Sequence, residues 1–396
     1  MEGRARTGAA TDVEALLDQL VRIDSRNPDL APDSAGERAV AECVAERLHS
    51  IGMQTVITTV VGDRPNVVGI LPGTADGPAV VLEAHLDTVP GAVGQDSVRL
   101  HGRRLYARGA CDTKGSLAAM VAAAGVLAGE PGPRPTLIVA GLADEEYVMR
   151  GAAAFLETVP RLPPIAGVVI GEPTSLQPIR AHNGFIRVYA HARGRSVHSS
   201  KAHLGSNAVL AAARAIARLD DELGERLRHR RHPLTGPALL TATMISGGIA
   251  PNIVPDDCAV CFDRRLAPGE EPATALKEIQ EVLDRLAEGG NDVELGEPLV
   301  ALPGMDTPAD HPFVRSVESA VHAVLGVETV AGGVTYSTDA CQLSDRGGLP
   351  CVVLGPGSID QAHTVDEWID LDEVMAAVDV YAEIVRRAAV PGGEAS

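Results

Sequence analysis

Five largely apolar runs in this 396-residue chain each lead into a histidine or a carboxylate. They read AVVLEAHLD, RGACD, TLIVAGLADEE, VVIGE and CVVLGPGSIDQAH, and they deliver His85, Asp87, Asp112, Glu145, Glu146, Glu172 and His363. A short continuous apolar run has the pattern of a strand buried on both faces, the habit of parallel sheets covered by helices. Open α/β sheets collect ligands at the carboxyl ends of their strands. Loops leaving several such strands would bring two imidazoles and five carboxylates to one place. Carboxylates a few Å apart raise one another's pKa, so such a cluster calls for a cation. A pair of divalent metals is the simplest neutraliser.

The order of segments gives the expected architecture. Strands alternate with helical segments as far as residue 181, which is the pattern of an α/β layered domain. From Phe185 the character changes to the half-exposed alternation Phe-Ile-Arg-Val-Tyr-Ala-His-Ala. A helix fits 206–219, strands fit 239–245 and 253–265, and a helix fits 272–286. This β-α-β-β-α-β order predicts a small sheet with two helices on one face, a ferredoxin-like α+β domain. The α/β pattern resumes near Leu299. The expected fold is thus a mixed, mostly parallel sheet with helices on both faces, formed by residues 1–181 and 298–396 and interrupted by a smaller domain at 182–297.

Composition narrows the function. A net charge of -19 argues against nucleic acid or an anionic membrane surface as partner. Aromatic residues are only 3% of the chain, so the core must be built from Ala, Val, Leu and Ile. No apolar stretch reaches the length of a membrane span, and the first residues lack a secretory apolar region. A soluble, cytoplasmic protein is expected. The six cysteines are scattered, not arranged as a disulfide framework. Cys258-x-x-Cys261 lies in an alternating segment that would turn its two thiols to opposite faces.

Within the cluster, each residue type suggests a task. His85 is an imidazole ligand, and Asp87, two residues on, would hold its other ring nitrogen. Asp112 stands in a turn before a helix, where a carboxylate could bridge two metals. Glu145 and Glu146 are adjacent and cannot face the same way from an extended end. One of them can bind metal while the other serves as general base. Glu172 offers a further oxygen and His363 a second imidazole.

The stretches EAHLDTVP, LYARGACDTKGSLAAM, ADEE, GEPT, GRSVHSS, GGIAPNIVPDDC with FDRR, and GPGSIDQAHTVDEW resemble the di-zinc M20 metallopeptidases. That group includes acetylornithine deacetylase, succinyl-diaminopimelate desuccinylase, aminoacylase and glutamate carboxypeptidases. The resemblance runs from about residue 12 to 388 in the family's order. It implies one metal on His85, Asp112 and Glu172, and another on Asp112, Glu146 and His363. It also implies Glu145 as general base, a cis peptide at Asp112-Thr113, and a metal-bridged water as nucleophile. The inserted domain resembles the family's lid, which implies a homodimer. His198 then matches a histidine that stabilises the oxyanion in the neighbouring subunit. Asn252 and Arg264 match positions that hold the substrate carboxylate, a task suited to a guanidinium fork. Zinc is expected, although cobalt and manganese suit the same ligands.

The C-terminal motifs are most similar to acetylornithine deacetylase-like members, which implies an amide hydrolase acting on a small N-acyl amino acid. A dipeptidase or carboxypeptidase, or an N-succinyl-diamino acid desuccinylase, stands as the alternative within the family. A catalytically inactive binding protein and a two-metal phosphoesterase are the alternatives outside it. Asp339 is one acidic candidate for the amine of a diamino substrate, with helix N-capping as its competing role.

Overall fold

The computed structural model describes residues 2–91, 97–288 and 292–388. The chain divides into two compact units. The larger comprises Met1–Arg180, Thr307–Gly332 and Thr338–Ser396; the smaller comprises Ala181–Asp306 and Gly333–Ser337. The smaller unit runs past the expected boundary at 297 because the strand Val300–Leu302 pairs with Gly184–Arg193 and stays with its sheet.

Four parallel strands form the middle of the larger unit's sheet, in the order Leu137–Leu142, Ala79–His85, Ile165–Ile170, Cys351–Val353. The first three are buried along all or most of their length, and the fourth throughout, as their unbroken Val, Ile, Leu and Ala content demands. Arg64–Leu71 adds to the Leu137–Leu142 side in antiparallel sense and hairpins to Gln54–Val61. The helix Gly115–Gly129 is buried along most of its length, including Leu117, Met120 and four alanines, so small side chains let it lie close against its neighbours. Each fully buried Leu or Met there contributes about 1.5–3 kcal/mol. The closing helix Leu371–Ala388 packs into the same core through Val374, Val378, Tyr381 and Val385.

The smaller unit is an antiparallel sheet in the order Leu239–Gly247, Asp257–Leu266, Gly184–Arg193, Asp292–Leu295. Its helices Ala208–Leu219 and Pro272–Ala287 share a core with that sheet, including Ile186, Val188, Val260, Phe262, Ile279 and Val282. This is the ferredoxin-like order that the sequence predicts. Leu239–Gly247 is an edge strand, with Met244 63% and Ile245 54% exposed.

Candidate metal centre

The four parallel strands end side by side, and each hands over part of the cluster. Ala79–His85 ends on His85 itself, with Asp87 just beyond. Leu137–Leu142 runs into the turn Asp144-Glu145-Glu146, and Ile165–Ile170 is followed by Gly171 and Glu172. Cys351–Val353 leads to the segment carrying His363. Asp112 comes from the tight turn Ala110–Lys114 ahead of the buried helix, and its peptide bond to Thr113 is cis. Gly109 enters that turn at φ 77°, where an added Cβ would stand 2.6 Å from Thr88.

Two groups of potential ligands result, His85 with Asp112 and Glu172, and Asp112 with Glu146 and His363. Within each, one ligand atom per residue lies within 4.8 Å of the others. His85 Nε2 is 2.9 Å from Asp112 Oδ1 and 3.7 Å from Glu172 Oε1. His363 Nε2 is 3.2 Å from Asp112 Oδ2 and 3.2 Å from Glu146 Oε2. The two carboxylate oxygens of Asp112 thus face different imidazoles, the geometry of a bridge.

The protonation energetics fit a cation. Burial pushes the carboxyls of Glu145 and Glu172 well above the usual range; charged neighbours, Glu146 for the first and Asp112 for the second, add to it. Burial and Asp112 raise Glu146 as well. Burial would also raise Asp112, but hydrogen bonds from His363 and His85 outweigh it and hold this carboxyl below its ordinary value. Those same bonds to Asp112 and Glu146 raise His363 to about 10. Two imidazoles with three carboxylates make a donor set suited to zinc, cobalt or manganese.

The fine geometry refines the expectation for Asp87, whose carboxylate stands beside His85 Nδ1 but less close to it than its own backbone carbonyl does. His85 Nδ1 donates to the backbone carbonyl of Asp87 at 2.8 Å, whereas the nearest Asp87 carboxylate oxygen is 3.6 Å away. With Nδ1 so engaged, Nε2 is the ring nitrogen that faces Asp112. The Asp87 carboxylate instead accepts the backbone N–H groups of Glu145 at 3.0 Å and Glu146 at 3.2 Å, and the Asn27 side-chain amide at 2.7 Å. It holds the turn that carries both glutamates.

Behind that turn lies an ionic network that the sequence reading missed. Asp144, at φ 70°, accepts from Asn27 at 3.0 Å and from Arg64 at 2.8 Å. Arg64 also grips Glu37 with a bidentate pair, and the Asp144 amide donates to Glu37. Gly151 closes the loop by donating to the Ala143 carbonyl, and a Cβ there would stand 2.2 Å from that oxygen. A cue in the sequence was Arg64 itself, a cation opening a mostly apolar strand.

Of the two roles expected of Asp339, the structure corrects that of helix N-cap. It precedes the helix Ala340–Asp345 without a side-chain cap bond, and it is 1% exposed. It stands by Glu83, whose carboxyl is raised to about 8 by burial. Glu83 was overlooked because it lies inside the apolar run AVVLEAH.

In the smaller unit, His198 is exposed, with Nδ1 2.8 Å from Ser200 Oγ, and it bridges to Ile253 beside the exposed Asn252. Arg264 corrects the expectation of a substrate-binding guanidinium. It is 0% exposed, donates to Glu270 at 2.6 Å, and shares the core-facing parity of Cys258, Val260, Phe262 and Leu266. Its neighbour Arg265, with a side chain 31% exposed, takes the opposite face of the strand.

A mostly parallel α/β sheet whose strand ends gather two imidazole–carboxylate groups, with a further glutamate beside them, defines a class: the metallohydrolases. The chain belongs to peptidase family M20/M25/M40, whose family model matches residues 81–387. It is a hydrolase of amide bonds. It is 31% identical to an acetylornithine deacetylase of Vibrio atlanticus (strain LGP32) over 367 residues, covering 89% of this chain and 92% of that one. Its fold is similar to an M20 family metallo-carboxypeptidase of Sulfolobus solfataricus, with a TM-score of 0.80 at 17% identity, covering 96% of this chain and 99% of that one. It is also similar to a dinuclear metal-binding M20 peptidase of Bacillus subtilis, with a TM-score of 0.70 at 16% identity over 96% and 98% of the two chains. Among the described residues no helix is long and apolar enough to cross a membrane.

Proposed function

We propose that this protein removes the acyl group from a small N-acyl amino acid by hydrolysis of its amide bond. The observation that carries the reading is the pair of ligand groups sharing Asp112, with Glu145 held next to Glu146. The proposed ligands are His85, Asp112 and Glu172 for one cation, and Asp112, Glu146 and His363 for the other, with zinc the first candidate. When bound, such a pair supplies Lewis acidity that polarises a carbonyl and lowers the pKa of a water from about 15.7 towards 7.

Glu145 is the general base. Its carboxylate takes a proton from the attacking water as oxygen bonds to the amide carbon. It returns that proton to the nitrogen as the C–N bond breaks, so carboxylic acid and amine leave together. Asp87 and Asn27 hold Glu145 to this task through the turn's own amide. For the smaller unit the family pattern supports His198 as donor to the oxyanion, acting in a second copy of the chain, and Asn252 as a contact for the substrate carboxylate. Arg265, on the open face of its strand, replaces Arg264 as the proposed partner of that carboxylate. The unpaired edge Leu239–Gly247, with Met244 and Ile245 exposed, supports pairing of two copies there. All six cysteines are free, which suits a cytoplasmic protein.

The relatives named acetylornithine deacetylase favour a deacylase; the metallo-carboxypeptidase of similar fold keeps a peptidase as second reading. A screen of N-acetyl amino acids including N-acetylornithine, N-succinyl-diamino acids and dipeptides, on zinc- and cobalt-loaded protein, decides between them. Preferential turnover of N-acetyl substrates is expected. Turnover of dipeptides alone overturns the deacylase reading.

A further inference from the structure

We infer that Arg108 and Glu367 form a clamp that positions the second cation group, Asp112 with Glu146 and His363. The inference rests on the cation-binding reading above and adds to it two residues outside both ligand groups.

The two ligand groups differ in how their members are held. His85 and Glu172 follow core strands, and their side chains are 1% and 7% exposed. His363 lies on an irregular segment at φ 59°, with its side chain 51% exposed. A residue in the left-handed region, on a segment without regular structure, keeps its place only if its surroundings impose it. Its ring must nevertheless meet Asp112 and Glu146 together.

Glu367 and Arg108 supply that restraint. Glu367 is 3% exposed, and one carboxylate oxygen accepts the backbone N–H of Cys111 at 2.9 Å and of Asp112 at 3.1 Å. Its other oxygen takes Arg108 Nη1 at 2.6 Å. Arg108 Nη2 then donates to the carbonyl of Thr364, the residue after His363, at 3.1 Å. The ring is closed: the Asp112 turn, Glu367, Arg108 and the His363 segment are joined by charge-assisted bonds. Cys111 Sγ adds a weaker stitch to the carbonyl of Ser358 at 3.4 Å. The clamp thus fixes the distance between two ligands that reach the second group from separate elements. Asp112 has a further hold on the first group through its bond to His85, and His85 and Glu172 are themselves set by core strands, so the first group depends on the clamp less.

The test is calorimetric titration of the cation-free, full-length protein with zinc, with no turnover measured. Two binding steps are expected in the natural sequence, and His363→Ala identifies which step belongs to the second group by abolishing it. Arg108→Gln is expected to weaken that same step by about 10- to 100-fold, as loss of an outer partner of a metal ligand does, and to leave the other step nearly unchanged. Glu367→Gln should act in the same direction, since its new amide would point a donor at Arg108. Arg108→Lys should recover part of the loss. Two unchanged steps in Arg108→Gln, both steps weakened equally, or weakening of the step that His363→Ala spares would each overturn the clamp while the hydrolase reading stands. A natural protein that binds no second cation would overturn the functional reading, and the clamp with it.

Discussion

Glu145 is the residue on which the proposed chemistry turns. Its backbone is fixed by Asp87, and its carboxyl is pushed up by burial and by the neighbouring charge of Glu146. Replacement by Gln keeps the shape and removes the proposed base. Zinc content measured by atomic absorption should stay at the natural level, while kcat falls by about 100- to 10,000-fold. Near-normal turnover would take Glu145 out of the mechanism. His363 gives a second prediction, in pH. In the cation-free protein its ring keeps a proton up to about 10, held by Asp112 and Glu146. A cation must displace that proton, so affinity at the second group should rise with pH through the neutral range and level off near that value. Calorimetry in buffers of different ionisation enthalpy should detect the released proton, and binding without release would contradict the assignment. The sign for folding is the reverse. A histidine raised from 6.5 to about 10 stabilises the cation-free fold fully below the lower value, and that contribution disappears as pH rises through the upper one.

At the scale of elements, the turn Asp144-Glu145-Glu146 is held from behind by buried charge. Arg64 has a side chain 8% exposed and pairs with Glu37 and Asp144, both 0% exposed. Arg64→Leu leaves those carboxylates undercompensated and should cost about 3–5 kcal/mol in urea unfolding, because a buried charge without its partner is expensive. A loss below about 1 kcal/mol, the scale of a surface pair, would show that the network is not under strain of this kind. Why the sequence announced the candidate ligands but not this network is a matter of range. His85, Glu172 and the Glu145-Glu146 pair each follow an apolar run, so period and position point to them directly. The partners Glu37 and Asp144 are separated by 107 residues, and no local pattern marks them. Arg264 shows the complementary limit. The FDRR motif marks two arginines, and only strand parity, counted from the buried Phe262, assigns the inner face to Arg264 and the outer to Arg265. Asp87 was legible as a supporting carboxylate, but the backbone carbonyl that holds His85 is not a side-chain property and leaves no trace in residue type.

For the whole molecule, the sequence predicted an α/β fold interrupted by a ferredoxin-like insertion, and the strand orders of both units have that form. The insertion's edge strand carries the prediction about assembly. Met244→Asp or Ile245→Asp should convert a dimer to a monomer in sedimentation velocity, and a natural protein that is already monomeric would remove the edge-pairing proposal. If His198 acts in a second copy, mixing the inactive variants His198→Ala and Glu145→Gln should restore about a quarter of the intact sites on random subunit exchange, because one site of each mixed dimer is whole. No recovery in a mixture shown to exchange would place His198 outside the reaction. The central claim, however, is that distant strand ends grip two cations. Anomalous scattering from crystals of the zinc-loaded protein, recorded at the zinc edge, tests it most directly. Two peaks are predicted about 3.5–4 Å apart, one bounded by His85, Asp112 and Glu172 and the other by Asp112, Glu146 and His363. A single peak away from Asp112, or none at full zinc loading, would contradict it.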